Sequence, residues 1–190
     1  MKLHQKRNQS VALQRASTRQ WVLKPQDLAV GLRLVLLRGE HRPYAALAQE
    51  LKLSPFEVHA AVQRLMSARL AVERDGAFRP VLSAFRPFVI NGAPYAYPAV
   101  RGETTIGFPT AHAAPPLKGR INESADSVFV WPHPQGTTRG ATLLPLYPKL
   151  PLAARELPEF YELCALFDAL RVGQAREREL ARKLLEERLK

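Results

Sequence analysis

The segment of residues 55–69 carries side chains that could read the bases of DNA. Four of them share one side of a helical projection: Phe56, His59, Ala60 and Gln63. Glutamine can form paired hydrogen bonds to adenine, and His59 or the neighbouring Arg64 can reach guanine or a phosphate. Phe56 could contact a thymine methyl group or, alternatively, pack in the core. The pattern predicts a helix that reads base edges in the major groove.

The sequence around this segment predicts a helix-turn-helix. A first helix is expected over Tyr44–Leu51, followed by a turn at residues 52 and 53. Ser54 and Glu57 then have the spacing of a capping box, and Pro55 suits the first position of the second helix. The inner side of that helix is expected to be an apolar stripe formed by Val58, Ala61, Val62, Leu65 and Met66.

Segments on both sides extend this motif. An apolar helix is expected over residues 25–37, and Asp27 in its first turn suits the helix dipole. Residues 71–81 have the pattern of a two-stranded hairpin with Asp75 and Gly76 in its turn. A type I′ turn needs positive φ at both central positions, which these two residue types tolerate. The predicted order is therefore helix, helix, turn, helix, hairpin.

This order, together with the string LAQELKLSPFEVHAAVQRLMSARLAV, resembles the winged helix-turn-helix family, in particular bacterial regulators of the MarR-like kind. The resemblance covers roughly residues 22–82. It implies that the second helix of the motif enters a major groove and that the hairpin, or wing, contacts the DNA beside it. Abortive-infection-type antitoxins, which combine a winged domain with a further domain and autoregulate, are a second group that this chain resembles.

Basic residues outside the recognition helix are expected to hold the DNA backbone. The first 24 residues contain six lysines and arginines and no acidic residue. An arm at residues 1–21 could therefore lie along phosphates or enter a minor groove, although its basicity could also be accidental. Arg42 and the arginines of the hairpin are further phosphate contacts or else solvated charges. The predicted DNA-binding set is Lys6, Arg7, Arg15, Arg19, Arg42, Tyr44, Ser54, Phe56, His59, Ala60, Gln63, Arg64, Arg74 and Arg79.

Composition favours a nucleic-acid partner. The 190 residues carry a formal charge of +11 and a sequence pI of about 10.3, and a polyanion is the simplest partner for such a surplus. Cys164 is the only cysteine, so an intramolecular disulfide is impossible and a cytoplasmic setting is expected. No apolar stretch approaches the roughly 20 residues that cross a bilayer, and no secretory signal is recognised, so no membrane association is expected.

Residues 92–151 are rich in proline and are expected to form a small β unit. Strands are predicted at 94–100, 104–108, 126–132 and 141–147. A pocket for a small anion or a partner's tail could be lined by His112, Trp131, His133 and Arg139, although an ordinary rigid loop explains these residues equally simply. No spacing typical of catalysis, of a cofactor site or of a metal site occurs, so we expect no enzyme, no cofactor and no metal.

The remaining segments are predicted to be helical. Residues 80–90 could form a fourth helix that Pro87 kinks or breaks. Residues 157–173 and 174–190 form two amphipathic runs, and the leucines of the second run need a surface to cover them. That surface could be the chain itself or a second copy, and we expect a homodimer that matches a palindromic operator.

The sequence as a whole predicts an α+β protein in four parts. These are a basic arm at 1–21, a winged helix-turn-helix at 22–91, the β unit at 92–151 and C-terminal helices at 152–190 that dimerise. The predicted function is sequence-specific binding of double-stranded DNA by a transcriptional regulator, with repression as the favoured mode. The alternative is a protein-interaction module of the antitoxin type, whose partner protein is encoded nearby.

Overall fold

The chain has a mixed α+β fold, in agreement with the predicted class. The computed structural model describes residues 22–120 and 128–190. The predicted arm contacts Lys6, Arg7, Arg15 and Arg19 lie outside the described residues and stay predictions. Within the described ranges, no helix has the length and apolar character needed to cross a bilayer.

Three helices and a hairpin form the first part of the fold. Their bounds are Pro25–Leu36 (α1), Tyr44–Leu51 (α2), Pro55–Ser67 (α3), Ala71–Arg74 (β1) and Ala77–Pro80 (β2). The predicted capping box is confirmed, because Glu57 accepts from the Ser54 amide at 2.8 Å and its own amide donates to Ser54 Oγ at 3.2 Å. Asp75 and Gly76 have φ values of 54° and 72°, as the hairpin turn requires.

The chain then continues as a broken helix. It runs through Leu82–Pro87 (α4), a π-helical segment at Phe88–Gly92 and Ala93–Ala96 (α5). The backbone stays helical past Pro87, where the α-helix gives way to the π-helical segment, whereas the strand predicted at 94–100 is wrong. Its alternating tyrosines do not share one face, because Tyr95 is 84% exposed and Tyr97 only 8%.

A small sheet follows, built from Arg101–Thr110 (β3), Phe129–Pro132 (β4) and Thr138–Leu143 (β5). β3 pairs antiparallel with both other strands, and β4 pairs parallel with β5. The strand predicted at 104–108 is confirmed inside β3, but β5 starts three residues before the predicted strand at 141–147. Gly140 lies within β5, where a Cβ atom would collide with the carbonyl oxygen of Val128.

Three helices complete the fold: Leu150–Glu156 (α6), Pro158–Val172 (α7) and Ala175–Arg188 (α8). α7 is buried along most of its length and packs against α1, so that a single hydrophobic core extends from the first helices to the last. Four apolar residues from α8 onward are buried by this same chain: Ala181, Leu184, Leu185 and Leu189. These buried side chains are therefore not available to pair with a second copy of the chain. The homodimer stays a prediction.

Gly31 lies in the middle of α1, where a residue with a side chain would be too close to its neighbours. A Cβ atom there would lie 2.5 Å from the ring of Phe85, which is fully buried. We expect Gly31→Ala to lower the free energy of unfolding by about 1–2 kcal/mol in urea unfolding. Overpacking costs about 1–3 kcal/mol, which exceeds the gain of up to about 1 kcal/mol from replacing a helical glycine. Adding Phe85→Leu should relieve part of the Gly31→Ala penalty by making room, whereas a Gly31→Ala variant more stable than the parent would contradict this packing.

Candidate nucleic-acid interface

The outward face of α3 is formed as the sequence predicts. Phe56 is 78% exposed, so the alternative of core packing is wrong for this residue. His59 is also exposed, while Ala60 and Gln63 are half-buried. On the opposite side, the side chains of Val58, Ala61, Val62 and Leu65 are buried in the core. The face can therefore present aromatic, imidazole and amide groups to a ligand.

Tyr44 of α2 supports this face from behind. Its ring stacks on Phe78 of β2, with 5.3 Å between ring centroids, and meets the edge of His59 at 5.2 Å. Burial raises the pKa of the Tyr44 hydroxyl, and a hydrogen bond with Gln63 partly offsets that rise. Tyr44 thus joins α2, α3 and the hairpin through its ring contacts with His59 and Phe78.

Arg64 does not lie at the edge of the outward face, and its predicted contact with DNA is corrected. It is 8% exposed and donates to both carboxylate oxygens of Asp27, from Nε at 2.6 Å and from Nη2 at 2.7 Å. The hydrogen bonds with Asp27 raise the pKa of the guanidinium against the opposing effect of burial. Arg64 therefore fastens α3 to α1 and has no charge to offer to a phosphate.

The other arginines predicted to contact DNA differ in their exposure and in their ion pairs. Arg74 beside the hairpin turn is well exposed, and its nearest acidic partner is Asp75 at 3.9 Å. Arg42 pairs with Glu40 at 3.5 Å and Glu50 at 3.6 Å, so its charge is already matched in part.

Arg79 lies at the base of the hairpin rather than at its tip. Its guanidinium packs against the turn after α1, where a Cβ atom on Gly39 would come within 2.7 Å of the Arg79 Cζ atom. The side chain thus faces the turn after α1 at the base of the hairpin, and its phosphate contact stays a prediction.

The predicted pocket of four residues does not assemble. Trp131 is 1% exposed and its indole nitrogen donates to Asp168 at 2.7 Å. His112 is 2% exposed and lies 3.6 Å from the Glu177 carboxylate. By contrast, His133 stacks on Phe108 at the surface, and Arg139 is exposed on β5. The two core side chains and the two surface side chains therefore do not line one site.

Two lysines outside the predicted DNA-binding set act on the carboxylate of Glu57 at the start of α3. Lys24 precedes α1 and Lys149 precedes α6, and both are exposed. Hydrogen bonds from Ser54 are the main reason why the pKa of Glu57 is lowered, and the charges of Lys149 and Lys24 add to that effect. No local pattern could have identified Lys149, because it is 92 residues beyond Glu57 in the chain.

Two further features of the described residues bear on chemistry. Burial raises the pKa of the Cys164 thiol, which suits a small packed side chain and not a nucleophile. Among residues 22–120 and 128–190, no group of His, Cys, Asp and Glu is arranged to hold a metal ion. No protein-family model, no curated protein and no solved structure matches this chain, so its function is inferred from its own residues.

Proposed function

We propose that the chain binds double-stranded DNA sequence-specifically as a transcriptional regulator, with α3 in the major groove. The observation that carries the proposal is the outward face of α3, where Phe56, His59 and Gln63 stand over a buried apolar side. Glutamine and histidine can hydrogen-bond to base edges, and Phe56 can contact a thymine methyl group. The ring of Tyr44 packs against the edge of His59, and such packing restrains a side chain that would read bases.

The arrangement of elements supports a winged helix-turn-helix. α2, a turn of three residues and the capped α3 come in the order that this motif requires, and the hairpin follows directly. The hairpin lies against the same cluster, because Phe78 of β2 stacks on Tyr44. The overall charge of +11 supports a polyanionic ligand, since affinity for DNA comes largely from phosphate neutralisation.

Two substitutions separate base reading from backbone binding. Gln63→Ala should remove about 1–3 kcal/mol of discrimination at one base position, because it deletes the amide that pairs with a base. Arg74→Ala should weaken binding to every duplex alike and flatten the dependence of log Kd on log salt by about one unit. Fluorescence anisotropy on the DNA upstream of the gene, against random duplex at two salt concentrations, measures both effects.

Matched controls are available on other surfaces. Gln49→Ala removes an exposed amide from α2, and Arg178→Ala removes an exposed charge from α8. Neither control should change base preference. If Gln63→Ala altered neither affinity nor preference while the parent bound specifically, α3 would not be the reading helix. The length of the footprint would report whether one copy or two occupy the DNA.

A protein-binding role is the second proposal, and the exposed Phe56 favours it. Phe56 is 78% exposed, and aromatic side chains are enriched in the cores of protein–protein interfaces. After the larger effect of burial, the negative charge of Glu73 also raises the pKa of the Tyr44 hydroxyl behind this face. A negative charge at this place opposes phosphate binding. This reading would be preferred if the chain bound no DNA at low salt and formed a complex with the product of a neighbouring gene that Phe56→Ala disrupts.

A further inference from the structure

The segment after the sheet is fastened to the turn that precedes α3. The hydroxyl of Tyr147 is buried and donates to the carbonyl oxygen of Leu51 at 2.8 Å. Lys52 forms an ion pair with Glu156 at 2.6 Å. One contact lies two residues before Lys149 and the other lies seven residues after it. The two contacts hold this part of the chain, including α6, beside the helix-turn-helix turn.

Lys149 lies in this held segment, and Lys24 directly precedes α1, which packs against α3. Both side chains are exposed, and both charges act on the Glu57 carboxylate. That carboxylate is already used at short range, since the amide and the hydroxyl of Ser54 both donate to it at 2.8 Å. Within residues 22–120 and 128–190, neither lysine has an ion-pair partner within 4.0 Å, so both can bind an outside anion.

The cations closest in sequence to the start of α3 are already paired. Lys52 is held by Glu156, Arg42 by glutamates and Arg64 by Asp27. The outward face of α3 itself contains no lysine or arginine apart from the buried Arg64. If α3 enters a groove, positive charge for the flanking phosphates at its first turn must come from other elements. Lys24 and Lys149 are exposed cations of other elements whose charges act on Glu57 in that first turn.

We propose that Lys24 and Lys149 form a phosphate-binding pair at the start of α3, and that the segment 147–156 is thereby part of the DNA interface. This inference rests on the proposed function and adds a second region of the chain to the same site. The ligand is the sugar-phosphate backbone of duplex DNA beside the base pairs that α3 reads. Each lysine acts as a point charge, so the pair contributes affinity without base preference.

The test is a charge-removal series on the full chain. Lys149→Gln and Lys24→Gln should each weaken binding about three- to tenfold on every duplex and reduce the salt slope by about one unit. Base preference should stay unchanged, and Lys149→Arg should keep the affinity of the parent. The matched control is Lys183→Gln, which removes an exposed lysine of α8 that lies beside Arg86 and Asn91. Midpoints of urea unfolding should agree among all variants.

Each outcome decides a different statement. If the parent binds duplex DNA and Lys149→Gln matches Lys183→Gln in affinity and salt slope, the phosphate-binding pair is wrong while the proposed function stands. If Lys149→Gln changes base preference instead, its role as a point charge on phosphate is overturned. If the parent binds no duplex at low salt, the proposed function fails and the pair fails with it.

Discussion

Asp27→Ala should lower the free energy of unfolding by about 3–5 kcal/mol, because it leaves the buried guanidinium of Arg64 without its counter-ion. Asp27 is fully buried and accepts both hydrogen bonds from Arg64, and it also accepts from the amide of Lys24 at 2.8 Å. One residue therefore joins the start of α1 to the middle of α3. A loss of this size is a large share of the stability of a typical domain.

The size of the loss distinguishes the ion pair with Arg64 from the interaction with the helix dipole that the sequence predicts for Asp27. An acidic residue that only complements the helix dipole contributes about 0.3–1 kcal/mol. Glu159 is a matched control, since it lies exposed in the first turn of α7. We expect Glu159→Ala to stay within that smaller range. Urea unfolding followed by circular dichroism, with a constant m value, measures both variants.

A double-mutant cycle tests whether the pair itself is responsible. Arg64→Met should cost about as much as Asp27→Ala, because it leaves a buried carboxylate unpaired. The double variant Asp27→Leu with Arg64→Met, compared with Asp27→Leu and Arg64→Met alone, should recover most of the loss, since apolar residues of similar volume often replace a buried ion pair without penalty. A coupling energy below about 1 kcal/mol would show that the two side chains act independently.

Local features of the sequence were enough to predict the helix-turn-helix elements. The capping box at Ser54 and the turn at Asp75 and Gly76 depend on neighbouring residues only, and both were predicted correctly. The exposed Phe56 followed from the 3.6-residue period, since the inward positions of α3 were already occupied by apolar side chains. Such short-range rules apply whatever the rest of the fold does.

Long-range partners could not be predicted in this way. Arg64 was assigned to DNA because its spacing placed it near the outward face, but its counter-ion lies 37 residues earlier in another helix. Trp131 and His112 were expected to line a pocket, but both side chains are buried in the core. Nothing in a periodic pattern indicates that Lys149 approaches Glu57. Pairings across the fold depend on tertiary packing, which a single sequence does not reveal.

Asp168→Ala should be as damaging as Asp27→Ala, with an expected loss of about 3–5 kcal/mol in the free energy of unfolding. Asp168 of α7 is 2% exposed and accepts from Trp131 Nε1 and from Thr110 Oγ1, each at 2.7 Å. It also forms a close ion pair with Arg171, whose side chain is itself buried. Burial raises the pKa of the Tyr161 hydroxyl to about 12, and the negative charge of Asp168 adds to this effect.

Removing the carboxylate leaves one buried cation and two buried donors with poorer partners. Arg171 keeps only long hydrogen bonds to the carbonyl oxygens of Tyr97 at 3.3 Å and Leu144 at 3.4 Å. Thr110→Val is the matched control, because it deletes one hydrogen bond and keeps the ion pair, and it should cost only about 1 kcal/mol. Fluorescence of Trp131 in a Trp21→Phe background, followed through urea unfolding, compares the two variants at the side chain that contacts Asp168. If both variants lost the same small amount, the hydrogen bonds rather than the buried charge would join α7 to the sheet.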